Sequence, residues 1–462
     1  MPEAPLWTAE EIAAATGGKV AGDFAATGVS IDSRTVEPGD LFVALAGVRD
    51  GHEFVAQTAA KGAAGALVSQ PVESPAVVVA DTFTALEALG VAARERAPQA
   101  RRGAVTGSVG KTSVTRAVEA GLRRAGKAHA SVKSYNNHIG VPLTLARMPR
   151  DTERAVFEVG MNHADEITPL SKFIRPHAVA ITTVGPVHLE NFAEGEIGVA
   201  KAKAEIFDGL EPGGVAVLNA DNQWFDLLKG EAEKAGATVR SFGRDGTSAR
   251  LVDFVVEGAG ATVVAELDGE AVSFPIRQTG VHWGPNSLCV LLMLEALGVD
   301  RATALATLAE FAPIEGRGAE QTVAVEGGAF TLVDESYNAN PVSMQAALAT
   351  LGARKVKGRR IVALTDMLEL GPDSPRFHAQ LAEPIAQADI DLVFCAGPLM
   401  MSLWNALPQT RRGGYADAAP ELAEKIVAAV EPNDVVMVKG SNGSRAGAIA
   451  AALSALGRRE QV

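Results

Sequence analysis

The chain has 462 residues, 47% of them hydrophobic and 21% charged, and a formal net charge of −13. That length exceeds what one hydrophobic core serves, so three domains with sizeable cores are expected and wholesale disorder is excluded. The acidic balance argues against a nucleic-acid or anionic-membrane binder, which relies on a basic face, so any anionic ligand must be held locally.

The opening MPEAPLWTAEEIAAATGG is acidic and lacks the basic start and apolar stretch of a secretory signal. Cys289 and Cys395 sit in the apolar runs SLCVLLML and DLVFCAG, which predicts buried thiols rather than a disulfide. Both features suit a reducing cytoplasm, where the protein is expected to act as a monomer without membrane insertion. Residues 1–84 carry short apolar runs, VSIDSRTV, DLFVALAG and GALVS, between Gly, Pro and Asp turns, and predict a small N-terminal mixed α/β domain. A helix over 82–96 then leads to the strand RRGAVTG, with the boundary between 81 and 86.

Over residues 85–314 strands and helices alternate: GAVTG, a helix after Gly110, RAVFEVG, a helix after Asp165, HAVAITTVG, a helix over 197–210, then GVAVLNA. This pattern predicts a central domain of phosphate-loop type, with a mostly parallel sheet and helices on both faces. Within 250–278, the period-two run DFVVEGAGATVVAELDGEAVSFPI with its Asp268-Gly269 turn predicts an antiparallel insertion. The stretch SLCVLLMLEALGV is short for a membrane span and carries Glu295, so it predicts a buried helix over 286–297. After the EGRG turn a second alternating series, AFTLVD, RRIVALTD, DLVFCAG and DVVMVKG, predicts a C-terminal Rossmann-like α/β domain over 315–462.

The stretch TGSVGKTS runs Thr106, Gly107, Ser108, Val109, Gly110, Lys111, Thr112, Ser113, between a strand and a helix with Val114, Val118 and Leu122 on its apolar face. In that setting backbone N–H groups and the positive helix end meet an anion, Lys111 adds charge, and Thr112 can ligate Mg²⁺. Val105 stands where the strict pattern has a glycine, so the spacing shortens to T-G-x-x-G-K-T; strand, loop, Lys-Thr and helix together outweigh a chance glycine turn. Ligands of open parallel sheets bind beyond the strands' carboxyl ends, where Glu158, His188 and Asp366 fall. Each alone reads as a hydrogen-bonded strand-end residue. Thr112, Glu158 and His188 together offer a hydroxyl, a carboxylate and an imidazole, a partial shell for Mg²⁺. By sequence alone Lys203 is a helix lysine.

TGSVGKT, SYNNHIGVPLTL, EVGMNHADEI, VGPVHLENF, AKAKAEIF, EGRG, DESYNANPVSM, DMLELG and KGS occur in the order found in the Mur ligases, which the chain resembles over nearly all three domains. The resemblance implies an ATP-dependent amide ligase of peptidoglycan assembly with UDP-N-acetylmuramoyl-tripeptide and D-alanyl-D-alanine as substrates. A terminal carboxylate is phosphorylated by ATP, and an amine then attacks the acyl phosphate. It further implies two Mg²⁺ ions, with Thr112 and Glu158 at one and His188 at the other, Lys111 on the β/γ-phosphates, and Lys203 carbamylated into a carboxylate-like metal ligand.

Asn286, in VHWGPNSL, would lie near adenine, although Trp283 replaces the family's asparagine; a helix start with Pro285 in its first turn fits the same residues. Arg317 would reach phosphate and Asp334 the ribose or the linker, or they form a surface turn and a strand end. Ser33 and Arg34 of the D-S-R stretch, and Asn137, would meet the UDP-sugar, with a plain Asx turn the alternative over 32–34. Ser441, in KGSNGSR, would receive a peptide carboxylate, or the loop is a simple strand-to-helix turn. The diaminopimelate-adding Mur ligases carry D-N-P-R, which this chain lacks. The other alternative is an ATP-binding regulator without ligase activity, which leaves His188, Lys203 and DESYNANP unexplained.

Overall fold

The computed structural model describes residues 5–47, 49–132, 134–257 and 260–459. Three sheets follow one another along the chain. The first has five strands in the order Lys19–Ala21, Ala76–Val78, Gly65–Val68, Asp40–Val43, Gly28–Ser30, beside a two-stranded ribbon of Trp7–Thr8 and Ala25–Ala26. The helix Thr82–Glu95, capped by the Asp81 carboxylate on Thr84 N–H, buries Leu86 and Leu89 in this domain's core with Trp7 and Ile12.

The central sheet has nine strands. Arg101–Thr106 lies between Arg154–Glu158 and Ala178–Ile181, parallel to both. The chain fills one side of Arg101–Thr106 before crossing to the other, which makes the carboxyl end of this strand the switch point where open α/β sheets hold ligands. Helices cover both faces, as the alternation predicts. On one side Val114, Val118 and Leu122 of the helix Lys111–Ala125 pack with Leu288 to Leu294 of Trp283–Ala296; on the other, Leu145, Leu170, Val199 and Leu228 form a second core. The run 288–294 of Trp283–Ala296 is apolar on every face and wholly buried, which is how such a stretch is satisfied in water.

The period-two stretch forms Ala249–Glu257, Gly260–Leu267 and Glu270–Ile276, antiparallel to one another. It is not a detached insertion. Phe242 and Gly243 of Thr238–Gly243 pair with Ala249 and Arg250, so these strands continue the central sheet to its edge. The third sheet has six strands, and it opens with Ala319–Val325 antiparallel to Gly328–Glu335, ahead of the AFTLVD run that sequence marks as its start. Its remaining neighbours are parallel. Both cysteines are free and buried, and loss of solvation pushes the Cys395 thiol up to about 12. No helix among the described residues is long and apolar enough to cross a membrane.

Candidate active site

The loop after Arg101–Thr106 is strapped to the loop after the neighbouring strand. Ser108 N–H donates to Thr183 O at 2.8 Å, Ser108 Oγ donates to Gly185 O at 3.1 Å, and Thr182 Oγ1 donates to Val109 O at 2.5 Å. Two glycines make the path possible. Gly110 takes φ +87° to start the helix Lys111–Ala125, and Gly107 sits at φ +149° with no room for a side chain: a Cβ there would come 1.9 Å from Thr182 Oγ1. Gly107→Ala is therefore expected to distort the loop, lowering the thermal midpoint by an amount worth about 2 kcal/mol and weakening ATP binding at least about tenfold, read by calorimetry and nucleotide fluorescence.

No side chain caps the helix Lys111–Ala125, so its first N–H groups face the cleft. Lys111 Nζ donates to Gly107 O at 2.6 Å, and burial pulls its ammonium below the ordinary lysine value, opposed by the Glu158 charge. Ser108, Val109, Gly110, Lys111, Thr112 and Ser113 all line a cleft of about 550 Å³ between the central and third domains. Thr106 and Gly107 lie behind it: Thr106 is fully buried and its carbonyl accepts from Thr182 N–H.

Glu158 and His188 share this cleft. Glu158 is 2% exposed and accepts from Asn136 Nδ2 at 2.8 Å. His188 adopts φ +53° and its Nδ1 lies 2.9 Å from Glu369 of the third domain. Burial, then the positive charges of Lys111 and Lys203, hold His188 down at about 4, so its ring is neutral at pH 7. Lys203, on the helix Glu196–Ala204, is 2% exposed and stands just outside the cleft lining. Among the described residues its amine has no hydrogen-bond or ion-pair partner, and burial followed by the Lys111 charge drives it well below the ordinary value. Among the described residues no group of three or more His, Cys, Asp or Glu stands close enough to hold a metal. Asp366 follows the third-sheet strand Arg360–Thr365, where it accepts from Met400 N–H at 2.9 Å.

Asn286 lines the same cleft beside Gly110, and Arg317 lines it from the third domain, its guanidinium 4.2 Å from the centre of the Tyr337 ring of that domain. Asp334 does not line the cleft: it braces the EGRG turn by accepting from Gly316 N–H and Ser336 N–H. Asn137 also lies outside it, its Oδ1 accepting from Gly140 N–H at 2.9 Å at the start of Gly140–Ala146. Ser441 is buried, its Oγ committed to Leu368 N–H and Ala339 O. In the first domain Arg34 pairs with Asp32 at 2.7 Å on an exposed turn, and Ser33 O accepts from Lys61 Nζ at 2.7 Å.

Six further cleft residues stand close to those chosen from sequence, inside the same motifs. Asn136 adjoins Asn137, Ser134 opens SYNNHIG, Glu335 and Tyr337 follow Asp334, Glu369 lies in DMLELG, and Lys439 precedes Ser441. Lys439 is 3% exposed, held by Glu335 Oε2 at 3.2 Å and Asn338 O at 3.0 Å. The arrangement provides an anion cradle, a buried carboxylate and a neutral imidazole on one wall, with cations and carboxylates of a second domain facing them. It can hold a polyphosphate while a second ligand is kept from water.

Three family models match the chain: the Mur ligase family catalytic domain over residues 25–102, the Mur ligase middle domain over 105–294, and the Mur ligase glutamate ligase domain over 321–442. The UDP-N-acetylmuramoyl-tripeptide–D-alanyl-D-alanine ligase of Rickettsia prowazekii (strain Madrid E) is 31% identical over 95% of this chain and 97% of its own length. The ligase of the same name from Escherichia coli (strain K12) is 33% identical over 91% and 92%. A crystal structure of MurF from Acinetobacter baumannii superposes with a TM-score of 0.85 at 28% identity, covering 98% of this chain and all of that one. With the three family models together covering most of its length and a relative 31% identical over 95% of it, the chain belongs to the Mur ligase family.

Proposed function

We propose that this protein is the ATP-dependent, ADP-forming ligase that joins D-alanyl-D-alanine to UDP-N-acetylmuramoyl-tripeptide, giving the UDP-N-acetylmuramoyl-pentapeptide of peptidoglycan synthesis. One observation carries it: a phosphate loop opens onto a buried carboxylate and a neutral histidine, in a cleft closed on its far side by another domain. A carboxylate is a poor acyl donor until one oxygen becomes a leaving group, and ATP supplies that activation. The amides of the loop 107–110 and the Lys111–Ala125 helix start receive the phosphates, and Lys111 exchanges the Gly107 carbonyl for a phosphate oxygen. Arg317 approaches the phosphates from the third domain, and Asn286 lies on the adenine side. In the first domain Ser33 and Arg34 serve the UDP end, with Asn137 supporting the loop next to Asn136.

The donor set suits Mg²⁺. Thr112 offers a hydroxyl, Glu158 a carboxylate already oriented by Asn136, and His188 an imidazole kept neutral. Lys203 fits as a carbamate rather than an ammonium, since a buried uncharged amine reacts with CO₂ and gains two oxygens. Bound there, two Mg²⁺ ions would neutralise charge developing on the transferred phosphoryl group. The third domain keeps water from the acyl phosphate until the dipeptide amine attacks. The working unit in this reading is a monomer, in the cytoplasm where ATP is available.

The test is phosphate release with purified protein, ATP, UDP-tripeptide and D-alanyl-D-alanine, omitting each in turn. Release is expected only with all present, together with one new amide. Turnover confined to UDP-dipeptide plus diaminopimelate would replace this reading with that of the third-residue ligase, and ATP binding without any amide product would replace it with a regulator.

A further inference from the structure

One hydrogen bond and one close polar contact cross the cleft from the third domain, the first to a neighbour of Thr112 and the second to His188. Tyr337, just after Gly328–Glu335, donates its hydroxyl to Ser134 Oγ at 3.0 Å, and Ser134 Oγ lies 3.5 Å from Thr112 Oγ1. Glu369, in the loop after Arg360–Thr365, brings its Oε2 to 2.9 Å from His188 Nδ1 and holds a strained φ of +62°. Both side chains are exposed, Tyr337 by 39% and Glu369 by 60%. Among the described residues neither makes another hydrogen bond or ion pair through its side chain, apart from the Arg317 stack on the Tyr337 ring. Their polar groups are spent across the domain gap rather than within their own domain.

We propose that Tyr337 and Glu369 are positioning residues that transmit docking of the third domain to Thr112 and His188, so that the metal-side geometry is complete only in the docked form. The inference rests on the ligase reading. A serine hydroxyl has two lone pairs. Tyr337 occupies one; with the Thr112 proton directed at the other, the Thr112 lone pairs turn away from Ser134 and are left for a cation. The Glu369 carboxylate charge 2.9 Å from Nδ1 favours the tautomer with its proton on Nδ1, which leaves the Nε2 lone pair to ligate. An ammonium, a water or a wrong tautomer at either place would spoil the donor set, and both safeguards arrive with the same domain.

The full-length protein with ADP is titrated with Mn²⁺, followed by electron paramagnetic resonance, alongside Tyr337→Phe, Glu369→Ala and Glu369→Gln. Tyr337→Phe keeps the ring under Arg317 and removes only the hydroxyl; Glu369→Gln keeps an oxygen that accepts from Nδ1–H. Tyr337→Phe and Glu369→Ala are expected to weaken Mn²⁺ binding by about 3–10-fold each, as the loss of one polar contact does, and Glu369→Gln to recover most of its share. ADP affinity in metal-free buffer and thermal midpoints stay unchanged, because both side chains are exposed. Mn²⁺ affinities within about twofold of the unsubstituted protein in Tyr337→Phe and Glu369→Ala overturn the coupling and leave the ligase reading intact. An effect in only one of the two overturns the shared role, and failure of the unsubstituted protein to bind Mn²⁺ with ADP removes both readings.

Discussion

Lys111→Ala is expected to cut amide formation at least about 10³-fold while leaving the thermal midpoint within a degree or so of its original value. The loss follows from what the transferring phosphoryl group requires. Charge spreads over its oxygens in the transition state, and a preorganised cation in a dry cleft stabilises that charge without reorganisation, an effect worth several kcal/mol. Among the described residues the side chain has one hydrogen bond to lose, to Gly107 O, and its burial as an ammonium costs free energy, so the fold gives up little. Lys111→Arg should not rescue. A planar guanidinium is longer and cannot take the place of a compact ammonium inside a loop whose glycines leave no slack, Gly107 against Thr182 above all. Steady-state ligation and calorimetry on the same preparations decide the matter; full coupling in Lys111→Ala would contradict the role.

Lys203→Met is expected to separate function from stability. Ligation should fall more than about 100-fold, because the carbamate oxygens are lost, whereas the CO₂-free protein should melt a few degrees higher. The sign follows from proton linkage. Burial holds the amine below its ordinary value of 10.5, so between the folded and unfolded values the unfolded chain binds more protons. The native state is therefore penalised at neutral pH, and the penalty fades as pH rises past the unfolded value. Methionine removes it, so the gain in midpoint should shrink toward alkaline pH. Native mass spectra of the unsubstituted protein should carry the mass of one CO₂ on Lys203, and activity in CO₂-stripped buffer should return on adding bicarbonate. An unmodified Lys203 in fully active protein would exclude the carbamate.

The parts of the site legible in the sequence are those that a parallel sheet delivers to one rim. A strand ending in TGSVGKT fixes Lys111 and Thr112, and strand ends at Glu158 and after Ile181 bring Glu158 and His188 to the same cleft. Side chains on turns behave differently. Of the adjacent amides Asn136 and Asn137, turn geometry sends the first to Glu158 and the second to cap Gly140–Ala146, and spacing does not distinguish them. Asp334 and Glu335 differ in the same way at a strand end. The contacts of Tyr337 and Glu369 were hidden because they depend on how two domains dock. In the fold, Ala128–Ala130, Thr238–Gly243 and Arg412–Ala416 were missed because AHA, TVRSFG and RGGYA are short, polar or glycine-rich and lack the apolar run that marks an inner strand. The apolar run 288–294 within Trp283–Ala296 was legible for the opposite reason.

Isotope transfer tests the central claim most directly. UDP-tripeptide labelled with oxygen-18 in its terminal carboxylate is turned over with ATP and D-alanyl-D-alanine, and the released phosphate is analysed by mass. Activation through an acyl phosphate moves one carboxylate oxygen into each phosphate, so every phosphate formed should carry one label. Unlabelled phosphate accompanying full amide formation would contradict the account.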